Sequence, residues 1–184
     1  VHMLNYADPN RYQHVHEDIV RIKDFADVNG LNYCDFIIDT SMVLALYGVR
    51  HAQDIDLLCN TRKIKHTPSG ISLHDEELRY HKVGKTELIY NPDHYFYFNG
   101  LKFASFNRVF DMKKCRNENK DVYDCNMMEA LIEHKTLKKV KAATLQSLLF
   151  MQARLRAKCV LLLRYVGLYK LIKTLYLKLG DQDG

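Results

Sequence analysis

From Asn10 to Val28 apolar side chains return at Val15, Ile19, Ile22 and Phe25, the spacing of a helix with one buried stripe, and Asn29-Gly30 follows as a stop signal. Tyr33 to Ile38 is a short, largely apolar run that predicts a strand. Ser41 to Tyr47 (SMVLALY) predicts a buried helix ended by Gly48, and Ile55 to Cys59 a second buried strand. Thr67-Pro68-Ser69-Gly70 reads as a loop, Ile71 to Leu73 as a brief extended piece, Lys82 to Lys85 as a segment turned by glycine, and Thr86 to Tyr90 as a strand candidate. Two further runs, Tyr95 to Phe98 and Leu101 to Ala104, flank Asn99-Gly100. Both turn residues tolerate the positive φ of a type I′ turn, so a hairpin is predicted there. Phe106 to Cys115, Asp121 to His134 and most of Leu137 to Leu179 predict helices. Strands interleaved with helices and including a hairpin imply an α+β fold built on a mixed rather than a purely parallel sheet.

A chain of 184 residues that is 47% hydrophobic can bury one sizeable core, with room for an appendage. Charge locates that appendage. Between His134 and Gly180 stand eleven Lys or Arg and no Asp or Glu, whereas residues 1–133 carry 16 basic and 20 acidic side chains. The expected division is a domain over residues 4–133 followed by a basic helical region over 134–180. Five cysteines, odd in number and scattered, lack the close pairs of zinc sites or disulfide frameworks and suit a reducing cytosol. Val1-His2 has the look of an expression remnant before a start at Met3, and no charged-then-apolar leader follows.

Other polar residues change the picture less. His14 and His16, two apart on a helix, point in different directions, whereas a zinc-binding helix spaces its histidines by four. Cys34 and Cys59 fall at apolar strand positions and read as core fillers. Tyr95, Phe96, Tyr97, Phe98 and Phe103 alternate along the hairpin, where aromatic residues pack against a sheet as readily as they stack on bases. From Leu168 to Leu179 helical spacing gathers Leu168, Leu171, Ile172, Leu175, Tyr176 and Leu179 on one face and Lys170, Lys173 and Lys178 on the other. Arg154, Arg156, Lys158 and Arg164 interrupt the apolar stretch upstream. The region is thus expected to lie on an anionic membrane surface, or against a protein, rather than to cross a bilayer.

The most specific short pattern is Asp54-Ile55-Asp56, just ahead of an apolar run. Strand periodicity places both carboxylates on one face and Ile55 on the other. Two acids at a strand mouth, completed by water and phosphate oxygens, suit Mg²⁺, a hard cation that binds oxygen. The same residues beside Arg50 and His51 also match an ordinary solvated strand end.

The run IIDTSMVLALYGVRHAQDIDLLC, Ile37 to Cys59, resembles the nucleotidyltransferase superfamily, whose DNA polymerase β-like fold leads a strand into a Gly-Ser turn, a short helix and an Asp-x-Asp strand. The matching pieces are Thr40-Ser41, the helix from Met42 to Tyr47, Gly48-Val49-Arg50, and Asp54-Ile55-Asp56; Thr40, preceded by Asp39, stands where the family has glycine. The resemblance implies that Thr40 and Ser41 with their backbone receive the phosphates of a nucleoside triphosphate. It further implies that Asp54 and Asp56 hold Mg²⁺ and that a third carboxylate lies on a neighbouring strand, with Glu87 ahead of Asp75 and Asp93 as the candidate. The segment from Asn91 to Met128 is similar to the later part of nucleotidyltransferase-like proteins of bacterial capsule and surface-polysaccharide assembly. It places Lys113, Lys114, Arg116, Lys120, Asp121 and Asp124 on a cationic helix and just after it. There Lys113 is expected either to meet phosphate or to belong to a solvated helix end held by local ion pairs. The closing GLYKLIKTLYLKL likewise resembles the C-terminal helices of peripheral enzymes in those pathways.

Together these features lead to two expectations. One is a Mg²⁺-dependent nucleotidyltransferase acting on a hydroxyl or phosphate acceptor in surface-polysaccharide biosynthesis, cytoplasmic and possible at the inner face of the membrane. The other is a noncatalytic module of the same fold within a membrane-associated assembly complex. Nucleic acid is not an expected partner, since no RNA-recognition motif or ordered aromatic-basic platform is present, and no Gly-rich Lys-Ser/Thr loop points to a P-loop kinase.

Overall fold

The structure, a computed structural model, describes residues 9–60, 64, 66–167 and 169. Helix α1 (Pro9–Asn29) turns its stripe of Val15, Ile19, Ile22, Phe25 and Ala26 into the core, as the periodicity predicts. Strand β1 (Phe36–Asp39) follows, then the short helix α2 (Ser41–Leu46) and strand β2 (Ile55–Cys59). Every residue of these three elements is buried, which explains why their sequences run apolar without alternation. Next come β3 (Ile71–Leu73), α3 (Lys85–Tyr90), the hairpin strands β4 (Tyr95–Phe98) and β5 (Leu101–Ala104), and the helices α4 (Phe106–Arg116), α5 (Asn119–Ile132) and α6 (Thr136–Tyr165).

The five strands form one mixed sheet in the order β3-β2-β1-β5-β4. β1 runs antiparallel to β2 and parallel to β5, β3 runs parallel to β2, and β4 pairs antiparallel with β5. The predicted turn is present, with Asn99 at φ 50° and Gly100 at φ 80°. The fold is therefore a mixed α+β arrangement in which helices flank a mixed sheet. The chain divides into two compact units, residues 1–143 and 144–184. No helix among the described residues is long and apolar enough to cross a membrane. Apart from Tyr169, the amphipathic segment from Leu168 to Leu179 lies outside the described residues.

Three expectations are corrected. Thr86 to Tyr90 belongs to α3, not to a strand. Six residues make less than two helical turns, too few for periodicity to separate helix from strand, and Glu87 in the first turn favours the helix. Cys34 is exposed, because the strand begins at Phe36 and a turn precedes it, whereas Cys59 is buried as expected. The charged end of α4 is held by ion pairs but is solvated only in part: Lys114 is exposed, whereas Lys113, and Asp121 and Asp124 on α5, are buried. Lys102 on β5 is buried as well. Its ammonium donates to the backbone carbonyls of Cys34 at 2.5 Å and Ile89 at 2.6 Å and lies over the rings of Tyr90 and Tyr95.

Candidate functional site

The site forms where β1 ends and β2 begins. Antiparallel pairing sets Asp39 opposite Asp56, and the parallel β2–β3 ladder sets Ser72 on the other side of Asp56. Side chains at paired positions share a face of the sheet, so the row Asp39, Asp56, Ser72 crosses three strands. Asp54 lies one strand period before Asp56, just outside β2, and is exposed, whereas Asp56 is buried.

Thr40 and Ser41 bring α2 onto this row. The Thr40 hydroxyl donates a short hydrogen bond to Asp56 Oδ2, and the Ser72 hydroxyl donates to Oδ1 at 2.9 Å. His74 Nε2 lies 3.0 Å from Asp56 Oδ1. The Ser41 hydroxyl reaches the Asp54 backbone carbonyl at 2.5 Å and its carboxylate at 3.0 Å. Of the residues expected from sequence, Thr40, Ser41, Asp54 and Asp56 thus converge.

Burial pushes the Asp56 carboxyl above its ordinary range, and the charge of Asp54 adds to that rise. The bonds from Thr40 and Ser72 and the His74 imidazole only partly offset it. Asp39 behaves differently. Its Oδ2 lies 2.7 Å from His81 Nε2, and both side chains are wholly buried. Burial alone would raise its pKa, but His81, the Thr40 backbone amide and the Lys113 ammonium together hold it below the usual range. Asp39 Oδ1 and His81 Nδ1 are buried without a hydrogen-bond partner.

Thr40 itself has φ 48° and ψ −110°. An L-residue reaches this conformation only with strain of about 1–3 kcal/mol, while glycine takes it freely. No family model matches this chain, and no curated protein or solved structure is significantly similar to it.

The other two expected residues lie elsewhere in the fold. Glu87, on α3, has its carboxylate 3.3 Å from His94 Nε2 and is about half exposed. It is not on a strand, and β3, the outer neighbour of β2, offers Ser72 rather than an acid beside Asp56. Asp75 opens a 3-10 segment and pairs with Lys85 at 2.6 Å, and Asp93 sits in the short turn Pro92–His94. Lys113 is held between Asp121 at 3.1 Å and Asp124 at 2.8 Å. Arg50 binds Asp124 through two nitrogens, at 2.7 and 3.0 Å, and Arg116 binds Asp121 and reaches Glu77. The charge of Lys113 still reaches Asp39.

Sequence reasoning did not single out Ser72, His74 or His81 as site residues. The signal for Ser72 is its place beside Asp56 in the β2–β3 register; those for His74 and His81 are their positions just after β3 and just after the 3-10 segment Asp75–Tyr80, and neither follows a spacing rule.

The His74 and His81 Nε2 nitrogens are engaged by Asp56 and Asp39, and the remaining groups near α2 offer oxygen: an exposed carboxylate, a buried one short of compensating charge and an orphaned carboxylate oxygen suit a hard cation. Among the described residues no three His, Cys, Asp or Glu side chains are arranged to hold a metal ion, so any shell here needs water or ligand oxygens to complete it.

Proposed function

We propose that the chain is a Mg²⁺-dependent nucleotidyltransferase of the DNA polymerase β-like fold, with Asp54 and Asp56 as metal carboxylates and Thr40 and Ser41 meeting the triphosphate. One observation carries this reading: at the position where the resembling family has glycine before serine, Thr40 adopts a glycine conformation, and the turn so made carries its hydroxyls to Asp56 and Asp54.

Mg²⁺, when bound, would neutralise triphosphate charge. The chain's part is to position. Ser41 orients Asp54, while Thr40, Ser72 and His74 fix Asp56. An acceptor hydroxyl then forms a bond to the α-phosphorus as the bond to pyrophosphate breaks, and its proton passes to water. The test is calorimetric titration with each nucleoside triphosphate, with and without Mg²⁺. Saturable binding that needs Mg²⁺ and disappears in Asp54→Asn/Asp56→Asn is the expected outcome. Binding that survives the double substitution removes the metal role.

A second reading, a noncatalytic module of the same fold, is favoured by Asp39. Its carboxylate is held ionised beside the turn that would receive phosphate, where it repels an anion. Absence of binding to all the triphosphates selects this reading.

The surface-polysaccharide assignment rests on the resemblance of Asn91 to Met128, and the basic region 134–180 is proposed to hold the protein at an anionic membrane surface or an assembly partner. Sedimentation with phosphatidylglycerol vesicles tests the membrane arm. A chain ending at Glu133 should stay in solution, and cosedimentation equal to that of the full chain excludes the arm.

A further inference from the structure

A cleft of about 400 Å³ opens between α1 and the loop that leads into β2, with Asp54 in its wall. It sits within the first unit and directly joins the site described above. Its size falls in the range of small-ligand sites. What it takes can be read from its charges.

Three carboxylates line it: Glu17 and Asp18 from α1, and Asp54. The guanidinium among the lining residues, Arg21, is already engaged. It donates to Asp18 at 2.9 Å and to the Ser69 carbonyl at 2.9 Å, and a side-chain carbon at Gly70 would come within 2.8 Å of it. His14 and His51 line it too, with His14 Nδ1 3.7 Å from Glu17 Oε2. A phosphate entering here would meet three acids, a cation committed to Asp18 and one imidazole already beside Glu17, so an anionic acceptor is disfavoured. Hydroxyl groups fit better, because each both donates and accepts. The carboxylates accept, the Gln53 amide does both, and the partly exposed Ala52 in the same wall suits the C–H face of a sugar ring.

We infer that this cleft is the acceptor subsite and that it binds a neutral, hydroxyl-rich sugar unit rather than a phosphate. The inference rests on the nucleotidyltransferase reading for the word acceptor, and on the cleft alone for the ligand class.

The experiment is saturation-transfer NMR on the full chain, without nucleotide or Mg²⁺, using glucose, galactose and N-acetylglucosamine and the 6-phosphate of each. At least one neutral sugar should bind with a dissociation constant on the order of millimolar, and its phosphate more weakly by about fivefold or more. Glu17→Ala/Gln53→Ala, on exposed positions and checked for an unchanged melting temperature, should weaken that binding about tenfold through two lost hydrogen bonds. Tighter binding of the phosphates, sugar binding indifferent to the double substitution, or no binding of any of the three sugars overturns the inference. Triphosphate titration of the same samples separates the two claims. Loss of sugar binding with nucleotide binding intact removes only the cleft assignment, and the reverse removes only the nucleotidyltransferase reading.

Discussion

Buried carboxylates at two places in this protein receive opposite treatment. At the α4–α5 junction Asp121 and Asp124 meet full cations, Lys113, Arg50 and Arg116, and the Asp124 carboxyl is held down at about 2. Burial alone would raise it, but the Arg50 hydrogen bonds and the Lys113 charge outweigh that. At the end of β2, Asp56 meets hydroxyls and an imidazole and is pushed up instead. A charge balanced within the chain holds helices together, whereas a charge left short of compensation invites a cation from outside. Balance, rather than burial, therefore separates Asp124 from Asp56; Asp39, paired with His81 in the site's own row, falls on the balanced side.

The largest test of that contrast removes the central cation. Lys113→Met leaves two buried aspartates sharing Arg50 and Arg116, and should destabilise the protein by about 3 kcal/mol in urea denaturation. A loss under about 1 kcal/mol would mean that the network contributes little.

Acid titration sharpens the comparison next. Asp124 has a folded pKa of about 2 against an ordinary 3.8, so the stability it supplies is complete above the ordinary value and is lost as pH falls through the folded one. Wild type should therefore lose about 2 kcal/mol from this group between roughly pH 4 and pH 2, and Asp124→Asn should flatten that part of the curve. For Asp56 the sign reverses. Its raised folded pKa means that ionisation opposes folding, with no penalty below 3.8 and the full penalty above the folded value. Asp56→Asn should then melt no lower than wild type at neutral pH. A lower melting temperature would show that its hydrogen bonds outweigh the charge.

The smallest effect concerns Thr40. Thr40→Gly relieves backbone strain while removing the bond to Asp56, so stability should change by no more than about 1 kcal/mol. On the nucleotidyltransferase reading the freer turn should tighten Mg²⁺–nucleotide binding. Unchanged or weaker binding in calorimetry counts against phosphate contact at this turn.

The elements that sequence revealed are those fixed by local rules. The stripe of α1, the Asn99-Gly100 hairpin and the buried β1-α2-β2 run each carry their signal within a few neighbouring residues. Asp54 and Asp56 were legible as a pair because strand period is local too, whereas Thr40 and Ser41 entered only through the family resemblance. What stayed hidden depends on distant segments. The burial of Lys113 requires Arg50, from just after α2, to meet Asp121 and Asp124 on α5, so a run of charges read alone as solvated helix. His81 reaches Asp39 from forty-two positions away, and Ser72 reaches Asp56 only through the β2–β3 register. Glu87 was misassigned because a six-residue segment fits either period.

The parallel pairing of β1 with β5, through Ile38 and Phe103, sets a timetable for synthesis. Asp39 ends the central strand, yet that strand gains its second neighbour only after the hairpin has left the ribosome. A nascent chain stopped at Asn99 holds every residue of the aspartate row but lacks the strand that braces it. The site is completed by closing a long loop, not by making the short turn, and loop-closure entropy makes the first the costlier of the two.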